Sequence, residues 1–202
     1  LLSCDPLVTE FSNDETPKKY TSKTLTTPPN KDTLTVASWN IRFGIGRAKW
    51  FGDSCGDIVI FDDEQIKDGL ELLAKKISEI DADILLLQEV DIESKRSAYV
   101  DQVQWLLDHT DLNYGVYASM WKVQFIPSDG LGRMDAGNAI LSKWPLSEAE
   151  RVQLSLRGDQ DALTKAFYVR RINDPFWFSQ IQSVLNRRCV IQVKAGRSVR
   201  NF

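Results

Sequence analysis

Ala37-Ser38-Trp39-Asn40-Ile41-Arg42-Phe43-Gly44 and Ile84-Leu85-Leu86-Leu87-Gln88-Glu89-Val90-Asp91 decide how this chain folds. Each is a short apolar run that ends in a side chain with an oxygen donor, Asn40 in the first and Glu89 in the second. Between them Ile66, Leu70, Leu73, Ile77 and Ile80 recur at helical steps. Asp62 with Gln65 three residues later has the form of a capping box that opens this helix. A strand, a helix and a strand make a β-α-β unit in which the two strands are neighbours. An amide and a carboxylate at adjacent strand ends can share one hard divalent cation, because Mg²⁺ prefers oxygen ligands and keeps several waters. Such a cation polarises a phosphate and activates a water.

Working outward, residues 33–41 alternate as a first strand, and residues 5–32 have no periodicity and read as a flexible tether. Residues 44–62 hold four Gly with Trp50, Phe51, Asp53 and Asp57, a long loop with its own apolar anchors. In that loop Asp53 or Asp57 either holds a second cation or salt-bridges the loop. Asp81-Ala82-Asp83 is a turn, and Ile84–Val90 is too continuous in Leu for an alternating edge strand, so it is buried. A second helix is expected over 94–108, with Tyr99, Val103 and Leu106 on one face and Ser94 as a cap. Strands are expected near 115–119, 136–142, 165–172 and 188–194, and a helix over 175–185. The order β-α-β-α-β followed by mostly β suits two packed sheets with helices outside.

The 202 residues suffice for one domain with a sizeable core. The net charge of −3 is unevenly spread: residues 151–202 carry ten Lys/Arg against three Asp, so the first 150 residues stand at −10. A basic segment beside an acidic, metal-friendly one suits a phosphodiester substrate. The single histidine, His109, excludes any mechanism needing two within the chain, and it follows Leu106-Leu107-Asp108 as a helix C-cap. No stretch is long and apolar enough to span a bilayer.

W-N-x-R-x-G followed by L-Q-E-V, with Gly137-Asn138-Ala139-Ile140-Leu141-Ser142-Lys143-Trp144-Pro145-Leu146 later, resembles the endonuclease/exonuclease/phosphatase superfamily. The resemblance covers roughly residues 33–202. It implies an α/β fold of the deoxyribonuclease I-like type, a four-layer α/β/β/α sandwich. It implies Glu89 as metal ligand, with Asn40 assisting it or orienting a phosphate oxygen, and Mg²⁺ (or Mn²⁺ or Ca²⁺) as cofactor. Arg42, Arg96 and Asn138 are the further candidates to meet a substrate phosphate, with ion pairing the alternative for Arg42. The expected activity is phosphodiester hydrolysis, nuclease-like or sphingomyelinase-like, on nucleic acid or a phospholipid head group, with no obligate protein partner. The alternative is a non-catalytic surface-anchored binding protein on the same fold; a doubly wound solute-binding lipoprotein would need no W-N…Q-E pair. The superfamily's later N-T-H, G-D-x-N and S-D-H segments do not occur, so the chain is expected to be C-terminally incomplete and to turn over little alone.

Leu1-Leu2-Ser3-Cys4 resembles the lipobox of bacterial lipoproteins, with Cys4 the acylated residue. It implies an extracytoplasmic, membrane-anchored protein of the cell envelope, with secretion the alternative. Cys55 and Cys189 either pair outside the cytoplasm or are two isolated thiols.

Overall fold

The computed structural model describes residues 11, 14–53, 55–126, 128–153 and 189–195. Cys4, the strand expected at 165–172 and the helix expected at 175–185 lie outside the described residues.

The β-α-β unit forms as its pattern dictates. Strand β3 (Val36–Asn40) and strand β4 (Ile84–Asp91) pair in parallel, from Val36 opposite Ile84 to Asn40 opposite Gln88. The crossover between them is helix α1 (Asp63–Ile80). Its capping box is complete: the Gln65 N–H donates to Asp62 Oδ1 at 2.8 Å and the Asp62 N–H to Gln65 Oε1 at 3.1 Å. Reciprocal caps of this kind satisfy two otherwise orphaned donors. Ile66, Leu70, Leu73 and Ile77 are buried against Leu85 and Leu87 of β4, while Ile80, in the last turn, is 44% exposed.

Strands β5 (Tyr114–Ile126) and β6 (Gly132–Ser142) form a long antiparallel hairpin beside β4. With β2 (Lys18–Thr21) they complete a mixed five-stranded sheet in the order β2-β5-β6-β4-β3. Residues 18–21, expected in a flexible tether, are therefore an edge strand. Tyr20 is buried and its hydroxyl donates to Asp101 Oδ2 at 3.0 Å, which gives this polar segment an anchor. A second, three-stranded sheet runs β1 (Asp14–Glu15), β7 (Leu146–Gln153), β8 (Cys189–Ala195). Strands β7 and β8 touch β5 and β6, and the buried Arg151 donates from Nε to the Ser119 carbonyl at 3.1 Å.

The second helix, α2, spans only Gln102–Asp108 instead of 94–108. Ala98 and Tyr99 stand at φ 53° and 59°, in the left-handed region, and break the run. Asp101, not Ser94, is the cap, accepting the Gln104 N–H at 3.1 Å. The Ser94 hydroxyl instead bridges to β6, donating to the Asp135 carbonyl at 3.0 Å and accepting its N–H at 2.8 Å. Tyr99 is thereby left 54% exposed, while Val103, Leu106 and Leu107 enter the core. Among the described residues, no helix is long and apolar enough to cross a membrane.

The Ser-Lys-Trp-Pro turn after β6 anchors the opposite end of the sheet. Lys143, 2% exposed, reaches Asp81 at 2.5 Å, Asp111 at 3.2 Å and Asp83 at 3.3 Å. Lys31 adds a second ammonium to Asp81 and Asp83. Hydrogen bonds from Lys143, then Lys31, hold the Asp81 carboxyl down at about 2. Burial opposes the charge on Asp83, yet the Thr35 N–H and both ammonium groups leave its pKa below the ordinary value. Burial likewise opposes the charge of Lys143, but the three carboxylates win and its pKa is raised. The signs follow by linkage. The two aspartates stabilise the fold fully above the ordinary carboxyl pKa of about 4 and lose this as pH falls through their folded values. Lys143 stabilises below about 10.5 and ceases to as pH rises through its folded value. The melting temperature is expected to fall between pH 5 and pH 3, with a shallower slope in Lys143→Gln. Thermal melts of both proteins across that range check it; parallel slopes would refute the assignment.

Candidate active site

Asn40 is the last residue of β3, whereas Glu89, expected at a strand end, lies two residues inside β4, next to the point where the β3–β4 ladder stops. Its last backbone bond is Ile41 N–H to the Gln88 carbonyl at 3.0 Å. Beyond it both chains depart from regular geometry. Asn40 Oδ1 accepts the Arg42 N–H at 3.0 Å, folding β3 into a 3₁₀ turn (Arg42–Gly44) whose Arg42 and Phe43 stand at φ 50° and 42°. In β4 a bulge falls between Leu87, opposite Ala139, and Val90, opposite Gly137. Glu89 sits in this bulge at φ 54°. The left-handed conformation costs a non-glycine residue about 1–2 kcal/mol, so three strained residues flank one spot. Strain of this kind persists where surrounding contacts over-determine it, and it clusters at functional sites.

The turn is wedged from several sides. The Arg96 guanidinium lies 3.7 Å from the Phe43 ring, and Trp50 meets Phe43 edge-on at 5.0 Å. Helix α1 approaches so closely that a Cβ on Gly69 would stand 1.9 Å from the Gly44 carbonyl oxygen. This explains a glycine inside a helix, where it costs about 1 kcal/mol relative to alanine.

Asn40 and Glu89 line one cleft of about 800 Å³ together with Trp39, Arg42, Phe43 and Arg47. Glu89 is half-buried, and among the described residues its carboxylate has no hydrogen bond or ion pair. Asn40 keeps a second lone pair on Oδ1 and its NH₂ donors. The donor set is thus one carboxylate and one amide oxygen, which fits an Mg²⁺-type cation that keeps most of its waters. Among the described residues no group of three or more His, Cys, Asp or Glu could form an all-protein cage.

The other candidates are placed differently. Arg42 donates to the Gly46 carbonyl at 2.8 Å and the Ala48 carbonyl at 3.2 Å and is paired with Asp53. Its guanidinium closes the loop on itself, and Asp53 is that loop's salt bridge. Arg96, expected to face the cleft, is 6% exposed and does not line it. It grips Asp91 in a bidentate pair, Nε to Oδ2 at 2.8 Å and Nη2 to Oδ1 at 2.9 Å, with the Ser97 hydroxyl on the same carboxylate. Asn138 occupies the β6 position between the partners of Leu87 and Val90, across from the bulge. Cys55 is a free, exposed thiol. His109 closes α2 and stacks on Trp105 at 3.8 Å.

Two side chains escaped the sequence pattern. Arg47 lines the cleft, is exposed, and among the described residues makes no ion pair or hydrogen bond. Only its place in a glycine-rich loop after W-N-x-R signalled it. Gln102 is fully buried and touches both the turn after β3 and the end of β4, its Oε1 accepting the Asp91 N–H at 3.0 Å and its Nε2 donating to the Phe43 carbonyl at 2.7 Å.

A family model described as "Endonuclease/Exonuclease/phosphatase family" matches residues 37–197. Comparison with curated proteins and with solved structures returned no match.

Proposed function

Since the chain belongs to the endonuclease/exonuclease/phosphatase family, whose members are metal-dependent phosphoesterases of deoxyribonuclease I-like fold, we propose that the protein hydrolyses a phosphodiester with a divalent cation held by Glu89 and Asn40. The observation that carries this is the half-buried carboxylate of Glu89, without a partner among the described residues and strained at φ 54° on the rim of a large cleft. A carboxylate that only stabilised the fold would be paired, as Asp81 is, or fully solvated.

When bound, Mg²⁺ would supply Lewis-acid polarisation of a phosphate oxygen and offset the charge that builds there. The chain's own groups do the rest. Glu89 presents a full negative charge to the cation and Asn40 a neutral oxygen. The Asn40 NH₂ can donate to a second phosphate oxygen. Phe43 and Trp50 wall the cleft and lower its effective dielectric, which strengthens charge interactions inside. Arg47 supplies a guanidinium suited to a phosphate. The substrate is a nucleic acid or a phospholipid head group.

The complete protein is expected to release p-nitrophenol from bis(p-nitrophenyl) phosphate with Mg²⁺ or Mn²⁺ and to stop on adding EDTA. No turnover with Mg²⁺, Mn²⁺ or Ca²⁺ would sink the proposal in favour of a binding protein on the same fold.

A further inference from the structure

We infer that Gln102 is a positioning residue that fixes Asn40 and Glu89 relative to each other, so that both can serve one cation. This rests on the metal-site reading above. The β3–β4 ladder sets strand register only as far as Asn40 and Gln88. After that point Arg42, Phe43 and Glu89 are all left-handed, so local backbone preference opposes the observed placement. Val90 and Asp91 stay paired with β6, but the turn after Asn40 has no strand partner, so a tertiary contact must hold it against the β4 segment. The Gln102 amide does so with both ends, one bond to each segment: Phe43, three residues past Asn40, and Asp91, two past Glu89.

The clamp has no slack. Gln102 is 0% exposed, so water cannot replace either bond. A Cβ on Gly44 would lie 3.1 Å from Gln102 Nε2, so the turn sits directly on the amide. The Phe43 carbonyl and the Asp91 N–H are backbone groups that burial would otherwise leave unpaired. Arg96 spans the same two segments, through the Asp91 carboxylate and the Phe43 ring, but grips side chains rather than backbone. Mg²⁺ tolerates little departure from octahedral geometry, so moving one donor relative to the other should weaken binding without removing a ligand.

The test is Mn²⁺ titration of the protein, following the free-ion signal by electron paramagnetic resonance, with hydrogen exchange alongside. Gln102→Met keeps the volume and deletes both bonds; it is expected to weaken Mn²⁺ binding about 10- to 100-fold, the usual cost of losing a group that orients a metal ligand. Gln102→Asn keeps the amide but is one methylene too short to reach both partners, and serves if the Met variant does not fold. Val103→Ala is the control: it opens a cavity in the same helix, and should lower the melting temperature while leaving Mn²⁺ affinity as in the wild type. Unchanged affinity in a folded Gln102 variant overturns the inference. If the wild type does not bind Mn²⁺, or Glu89→Gln binds equally well, the metal reading falls and exchange decides the clamp. Segments 41–44 and 89–91 loosening together in the Gln102 variant would support it, and unchanged exchange would overturn it.

Discussion

Replacing Glu89 by Gln is expected to lower metal-dependent phosphodiester cleavage by about 10³-fold or more. Loss of the charged ligand removes several kcal/mol of transition-state stabilisation, and each 1.4 kcal/mol is about tenfold in rate. Gln keeps the shape and the half-buried position, so the melting temperature should hardly move. Glu89→Gly separates the two roles of this position more sharply. Glycine reaches φ 54° without the Cβ penalty, which relieves about 1–2 kcal/mol of strain. Its greater freedom in the unfolded chain offsets part of that gain. The expected protein is at least as stable as the wild type and inactive. Steady-state rates at saturating Mg²⁺, set beside urea unfolding, read both effects. Retained activity in Glu89→Gln would remove Glu89 from the chemistry.

The second large effect concerns Arg96. Arg96→Leu strands the Asp91 carboxylate, which is 0% exposed and would keep only the Ser97 hydroxyl at 2.9 Å. Breaking a buried pair from one side typically costs about 3–5 kcal/mol. The double variant Asp91→Leu, Arg96→Leu should recover much of the loss, because a buried pair replaced whole by apolar groups is often close to neutral. Urea denaturation of both variants gives the comparison. A single variant within about 0.5 kcal/mol of the wild type, the usual range for surface changes, would show that Arg96 contributes little there.

The β-α-β unit was legible because its signals are local and redundant. The Asp62–Gln65 box, the 4-3-4-3 spacing of α1 and the leucines of β4 all agree, and each is a property of neighbouring residues. Strand β2 was not legible, because in Lys18–Thr21 one residue, Tyr20, is buried, and a single inward side chain makes no pattern. The start of α2 was misplaced because Ser94 spends its hydroxyl on β6, a partner 41 residues away. Within the site, Glu89, expected at a strand end, lies two residues inside β4, whereas Asn40 could be located as one. The bulge that turns Glu89 out could not, because Gln-Glu-Val holds no glycine or asparagine to announce a positive φ. Arg42 could not be assigned either, since its partners are mostly loop carbonyls, and backbone oxygens have no letter in a sequence. For Arg96 a signal existed: Asp91 and Arg96 stand five residues apart with Ser97 adjacent, and Arg96 and Ser97 both close on the Asp91 carboxylate. Gln102 gave no sign, because one buried amide in a short amphipathic helix looks like any other polar residue.

The two halves of the sheet differ in portability. The β5–β6 hairpin joins its strands through Ser128–Gly130 and carries a small apolar cluster of its own, Val123, Ile126, Leu131 and Met134. Its two strands come from one contiguous stretch and pair with each other, and β6 also pairs with β4. The pair Asn40 and Glu89 is the opposite. Parallel strands cannot be closed by a tight turn, so residues 41–83 must first be laid across the sheet before the two donors meet. Neither donor carries information about the other until α1 is in place, and Gly69 of α1 must fit against Gly44 for the turn to seat. The hairpin is specified by one contiguous stretch; the site can be inherited only as the whole span from Val36 to Gln102, together with the part of β6 that sets the bulge.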